Sequence, residues 1–289
     1  MATAAQWISG ARPRTLPAAV APVLVGTGAA FGLGAQHPGR ALTALLVSLA
    51  LQIGVNYAND YSDGIRGTDD DRVGPFRLTA SRAAAPAAVK GAAFACFGAA
   101  AVAGLGLAAA SGAWWIVAVG AAAILAAWYY TGGRRPYGYS GLGEVFVFVF
   151  FGLVAVLGTT YTQALRVSGP AVAGAVGVGV LACAILVANN LRDVPTDERA
   201  GKHTLAVRIG APATRRLYVG LLATALLATL AVAPWHPWAL LALASAPAAV
   251  PPVQAVARGA AGRDLLPVLR DTGRLELVYA VLLGIGLAL

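Results

Sequence analysis

Nine apolar runs of about 15 to 22 residues fill most of the chain: 16–34, 41–59, 91–110, 113–131, 142–162, 171–190, 215–233, 238–256 and 275–289. An α-helix rises 1.5 Å per residue, so about 20 apolar residues cross the roughly 30 Å hydrocarbon core of a bilayer. Backbone polar groups inside hydrocarbon need partners within the chain, and a helix supplies them. The charge count agrees. Lys, Arg, Asp and Glu make up 11% of the 289 residues and hydrophobic residues 58%. A soluble domain carries about 25% charged residues, so a soluble α/β enzyme, a disordered chain and a small disulfide scaffold are all excluded. The expectation is an all-α integral membrane protein. It is a nine-helix bundle around a central cavity, one domain over residues 1–289. Small residues crowd runs such as 98–106 and 174–179, which lets the helices approach closely.

Placing the N-terminus in the cytoplasm puts nineteen of the 21 Lys and Arg on that side and only Arg40 and Arg166 opposite. That bias fits the rule that cytoplasmic segments carry the basic residues. It also accounts for the net charge of +9, so nucleic acid is not an expected partner. Cys96 and Cys183 both fall inside apolar runs and indicate neither a disulfide framework nor a thiolate metal site.

The acids run against this trend. Eight of the twelve lie in 60–71 and 193–198, each just after an apolar run and on the expected cytoplasmic side. One reads Asn56-Tyr-Ala-Asn59-Asp60-Tyr-Ser-Asp63-Gly-Ile-Arg66-Gly67-Thr-Asp69-Asp-Asp71-Arg72; the other reads Asn189-Asn190-Leu-Arg192-Asp193-Val-Pro-Thr-Asp197. If the helices continue, Asn56, Asn59, Asp60 and Asp63 share one face, and so do Asn190, Asp193 and Asp197. Asn56 and Asn189, like Asp60 and Asp193, are 133 residues apart, which suggests tandem halves with two acidic helix ends facing one cavity. One such cluster alone reads as a solvated loop. Two with matching spacing read as a cation site. Oxygen donors without paired His or Cys select a hard ion such as Mg2+, which bridges carboxylates to phosphates. Arg66, Arg72, Arg77, Arg192 and Lys202 stand ready for the remaining phosphate oxygens. The spacing does not give the alternating ligands of an EF-hand.

Asn59-Asp60-x-x-Asp63 and Asp193-x-x-x-Asp197 resemble the paired Asp-rich motifs of the UbiA-type intramembrane prenyltransferases. Within that superfamily, four further stretches resemble the 1,4-dihydroxy-2-naphthoate polyprenyltransferases of menaquinone synthesis. They are Arg72-Val-Gly-Pro-x-Arg77-Leu-Thr, Gly141-Leu-Gly-Glu144, Gly201-Lys202-x-Thr204-Leu-Ala-Val and Ala11-Arg-Pro-Arg-Thr-Leu-Pro17. The resemblance covers nearly the whole chain. One departure is Gly67, which stands where a third acid often follows Asp63 by four, leaving Asp69 to take that role. The resemblance implies a bacterial plasma-membrane enzyme with its site toward the cytoplasm. Mg2+ held by the two motifs would promote departure of diphosphate from a polyprenyl donor. The prenyl group would then alkylate the naphthalene ring, and the ring carboxylate would leave as CO2.

Glu144 stands in an apolar stretch, where an acid is costly and points to function; it either orients the acceptor's hydroxyl or pairs with Arg134 or Arg135. Tyr139 lies close to it in sequence and is the second candidate for the acceptor. Two other readings are a prenyltransferase for a different aromatic acceptor and a cation-coupled secondary transporter. A transporter's acids would lie near the bilayer centre rather than at helix ends.

Overall fold

A computed structural model of the chain describes residues 2–68, 74 and 76–289. Asp69 and Arg72 lie outside the described residues. Helices, and no strands, make up the secondary structure of the rest. In chain order they are α1 (Ala4–Gly10), α2 (Pro17–Gly32), α3 (Pro38–Ile65), α4 (Pro86–Ser111), α5 (Ile116–Tyr129), α6 (Gly143–Val147), a π-helical stretch (Phe148–Val154), α7 (Ala155–Ala164), α8 (Gly169–Arg199), α9 (Leu205–Val232), a 3-10 stretch (Pro237–Ala249), α10 (Val250–Ala257) and α11 (Leu265–Ala288). Proline opens α2, α3 and α4 at Pro17, Pro38 and Pro86. There its fixed φ suits the first turn and its missing N–H is not needed.

Each of the nine apolar runs falls on helix. By length and composition, six helices among the described residues can cross a membrane, or seven if α1 and α2, bent by 49°, form one span. The two runs left over have identifiable defects. α5 has only 14 residues, and the first half of α11 carries Arg270, Asp271, Arg274 and Glu276.

α8 is the centre of the bundle. Its apolar window is 72% buried, against 28–33% for the other five long helices. Glycine makes this closeness possible. A Cβ on Gly152 would sit 2.7 Å from the Cα of Gly179 on α8, and one on Gly28 of α2 would sit 2.1 Å from the Gly284 carbonyl oxygen of α11. No side chain fits in either contact.

The helices alternate in direction, so α3, α5, α8 and α10 all end on one side, which is also where α1 lies. Exposed Trp114, Trp115, Trp235 and Trp238 gather at the other side, as residues of a membrane interface do. Arg40 and Arg166 lie there too. Arg40 donates to the carbonyls of Ala110 (2.6 Å) and Thr162 (3.1 Å), and Arg166 to that of Leu33 (3.0 Å). Both guanidiniums therefore cap carbonyls at the ends of α4, α7 and α2, where a cation also meets the negative end of the helix dipole.

Candidate active site

The last two turns of α3 turn Asn56, Asp60 and Asp63 inward, all at most 4% exposed, with Asn59 half-buried beside them. Spacings of three and four place these residues on one face. Asn56 donates from Nδ2 to the Ala11 carbonyl (2.8 Å) and to Thr15 Oγ1 (2.9 Å), tying the segment before α2 to α3. Asn59 Oδ1 accepts from Thr131 Oγ1 at 2.8 Å, beyond the end of α5. Asp60 is fully buried; its two oxygens accept the amides of Leu78 (2.7 Å) and Thr79 (2.8 Å). Asp60 thus clamps the returning segment 76–80 to the helix end. Each carboxylate oxygen has a second lone-pair position, so the clamp does not exhaust it.

Asp63 gathers groups from three other segments. Its Oδ1 accepts the Tyr139 hydroxyl at 2.6 Å and Lys202 Nζ at 3.2 Å, while Oδ2 lies 3.5 Å from Arg77 Nη2. Lys202 also sits 4.6 Å from the centre of the Tyr139 ring, and Arg66 Cζ 5.4 Å. Burial, and then the Asp63 charge, push the Tyr139 hydroxyl well above its usual range, so Tyr139 stays a proton donor. Arg66 donates to the carbonyls of Thr131 and Gly133, fastening the end of α3 to the loop after α5.

The end of α8 is built in parallel. Arg192 holds both oxygens of Asp193 at 2.7 Å through Nε and Nη2, and Nη2 also reaches Asn189 Oδ1 at 2.9 Å. Asp193 and Asp197 are buried at 5% and 9% exposure. Asn190 Nδ2 donates to Glu144 Oε1 at 3.0 Å, and the second oxygen, Glu144 Oε2, is buried with no hydrogen-bond partner. Glu144 therefore meets neither Arg134 nor Arg135 in an ion pair among the described residues; its partner is the second motif. After α8 the chain turns at Gly201 (φ 68°). Lys202 N–H donates to the Asp197 carbonyl (2.8 Å) and His203 N–H to that of Tyr139 (3.0 Å). This turn carries Lys202 across to Asp63.

Asp63, Tyr139, Arg66, Arg77 and Lys202 are thus brought together. Arg192 with Asp193, and Asn190 with Glu144, form two adjoining pairs. Asn56, Asn59 and Asp60 brace neighbouring segments. Among the described residues no three acid, His or Cys side chains converge closely enough to hold a metal by themselves. The donor set nonetheless fits Mg2+: it is all oxygen, and that ion keeps several waters and completes its shell with phosphate.

Sequence reasoning missed the Leu78 and Thr79 amides, Thr131 and Glu276. Glu276 on α11 is fully buried with neither oxygen hydrogen-bonded. Its signal was the one used for Glu144, an acid inside an apolar run.

Two acid-bearing helix ends, with cations folded over them in an all-helical membrane bundle, define a class: a membrane enzyme whose site suits a bulky anion on a lipid-soluble body. The chain belongs to the UbiA prenyltransferase family, whose sequence model matches residues 19–267. It is 59% identical over 288 residues to the 1,4-dihydroxy-2-naphthoate octaprenyltransferase of Mycobacterium tuberculosis, covering 100% of this chain and 98% of that one. To the Escherichia coli protein of the same name it is 37% identical, over 98% and 95%. A UbiA homolog from Archaeoglobus fulgidus solved with GPP and Mg2+ superposes with a TM-score of 0.69 at 13% identity, covering 96% and 99%.

Proposed function

We propose that the chain transfers a polyprenyl group from polyprenyl diphosphate to 1,4-dihydroxy-2-naphthoate, releasing diphosphate and CO2 and giving demethylmenaquinol. The observation that carries this reading is Asp63. A buried carboxylate at the end of α3 is gripped by Lys202, which follows the second motif, by Arg77 and by Tyr139, and this contact supports the reading that the two motifs serve one site. The names of the relatives that match over nearly the full length supply the acceptor and the prenyl donor.

In this reading Asp60, Asp63, Asp193 and Asp197, with Asn56, Asn59 and Asn190, would hold Mg2+ for the diphosphate, and Asp69 is assigned to the same set by its place in the sequence. The ion supplies electrostatic stabilisation of the leaving group rather than a nucleophilic water. Lys202, Arg77, Arg66, Arg192 and Arg72 take the outer phosphate oxygens. Lys202 and Arg77 already lie at Asp63, so an incoming diphosphate exchanges one anionic partner for another. The bond between prenyl C1 and oxygen breaks with its electron pair on diphosphate. The ring carbon that bears the carboxylate bonds to C1, and its bond to the carboxylate breaks to release CO2 and return the electron pair to the ring, so no base need remove a ring proton. Glu144, with Oε2 unpartnered and Asn190 holding Oε1, accepts from an acceptor hydroxyl, and the Tyr139 oxygen, whose proton goes to Asp63, is left to accept from another. The apolar bundle keeps water from the developing allylic cation.

The topology that suits this chemistry has nine crossings and tandem halves in one domain over 1–289. The N-terminus and the site face the cytoplasm of a bacterial plasma membrane. Its support is the nineteen-to-two division of Lys and Arg and the carbonyl-capping roles of Arg40 and Arg166.

The test is acceptor choice. Purified chain given Mg2+, a polyprenyl diphosphate and either 1,4-dihydroxy-2-naphthoate or 4-hydroxybenzoate should prenylate the naphthoate at least about a hundredfold faster. A site built to hydrogen-bond a group rejects analogues lacking it by such factors. Preference for 4-hydroxybenzoate would move the chain to the other acceptor class.

A further inference from the structure

A cleft of about 550 Å³ opens between the start of α9 and the end of α10, on the side of the bundle where α8 ends. None of its lining residues belongs to the acidic site. Pro212, Arg215, Arg216 and Val219 line it from α9 at i, i+3, i+4 and i+7, and Ala257 and Arg258 from α10. It exists because α9 breaks at Gly210, whose φ of 76° and ψ of 163° are not helical, and restarts at Pro212 with its first turn facing α10.

Three features of this cleft point to a ligand. Arg215 donates through Nη2 to the carbonyls of Gly259 and Ala260, both at 3.0 Å, which fixes its guanidinium at the end of α10, yet its Nε is buried without a partner. An entering acceptor oxygen would satisfy that N–H, whose isolation is otherwise costly. Arg216 and Arg258 are exposed, and no carboxylate among the described residues pairs with either. Below the arginines, α9 presents an exposed apolar stripe of Val219, Leu227 and Leu230, the last two 62% and 49% exposed. Cationic forks above an apolar strip match a phosphate joined to an acyl chain; a free phosphate would have no use for the strip.

We propose that this cleft binds the phosphate headgroup of an anionic glycerophospholipid, with an acyl chain lying along the α9 stripe. Bound there, the lipid joins α9 to α10 and stabilises the second half of the bundle. The proposal needs the chain to sit in a membrane and is independent of the prenyl-transfer chemistry.

Full-length protein in a neutral detergent is titrated with phosphatidylglycerol, with phosphatidylcholine and with inorganic phosphate while its thermal midpoint is followed. Phosphatidylglycerol should raise the midpoint, and the other two should not. Arg216→Gln/Arg258→Gln should need about thirtyfold more phosphatidylglycerol for half the rise, from about 1 kcal/mol per arginine and 1.4 kcal/mol per tenfold. Arg263→Gln/Arg274→Gln removes the same charge outside the cleft and should respond like wild type. If the first variant is less stable without lipid, Arg216→Lys/Arg258→Lys, which keeps the charge, replaces it and should keep most of the rise. The proposal is overturned by no rise in wild type, by inorganic phosphate matching the lipid, by a full response in the Gln variant, or by an equal loss in the control.

Discussion

Asp63→Asn is expected to lower turnover about 10²–10³-fold, the scale seen when one preorganised electrostatic contact to a developing charge is removed. The amide keeps the shape of the carboxylate and can still accept from Tyr139, so the effect reports charge rather than volume. In the wild-type chain the carboxylate lies between Lys202 Nζ at 3.2 Å and Arg77 Nη2 at 3.5 Å, with all three side chains at 10% exposure or less. Neutralising it removes the negative charge between two buried cations and, in the proposed reaction, an oxygen donor for Mg2+. Breaking a buried pair in this way costs about 3–5 kcal/mol, so the thermal midpoint should fall as well. The two effects separate on addition of inorganic diphosphate with Mg2+. The anion puts negative charge back beside Lys202 and Arg77, so the variant's midpoint should recover more than that of wild type rises. Turnover should stay low. A variant with wild-type turnover would remove Asp63 from the reaction.

Asp193→Ala should be the more damaging to stability. Arg192 is the most deeply buried cation of the site, its side chain 1% exposed, and it meets Asp193 in a bidentate pair with both contacts at 2.7 Å. Truncating the acid strands the guanidinium with Asn189 as its remaining described partner, for a loss of about 3–5 kcal/mol. That is a large part of what a folded domain has to lose. Removing both charges in Arg192→Met/Asp193→Asn should return most of the stability, since an apolar side chain of similar volume replaces a buried ion. Activity should not return, because in the proposed reaction the second motif has lost both a metal donor and a phosphate-binding cation. Thermal midpoints and product formation on the three proteins decide it; recovered activity in the double variant would contradict the assignment of Asp193 to the site.

Local pattern was enough for some of this. Apolar runs of membrane length become helices because hydrocarbon leaves the backbone no other partner, and every predicted run is helical. Spacings of three and four put Asp60 and Asp63, and Asp193 and Asp197, on inward faces because helix geometry is local. Partners from distant segments were not legible. Asp60 clamps the amides of Leu78 and Thr79, eighteen and nineteen residues on, and a backbone N–H leaves no mark in a sequence. Arg66 looks like any cation beside an acidic motif, yet it caps Thr131 and Gly133, sixty-five and sixty-seven residues away. The contact between Glu144 and Asn190 was not legible either, because only the packing of α6 on α8 places the two side by side. Crossings are harder to count than helices, because α5, at 14 residues, is shorter than a bilayer core and the start of α11 carries charges that hydrocarbon disfavours.

In the proposed reaction, carboxylates of two helix ends act through a divalent ion on a prenyl diphosphate. The most direct measurement follows diphosphate, CO2 and prenylated naphthalene together, in Mg2+ and then in excess EDTA. One diphosphate and one CO2 per prenylated product are expected in Mg2+, none of the three in EDTA, and recovery when Mg2+ is restored. Undiminished turnover in EDTA, or product formed without release of diphosphate, would contradict that reaction.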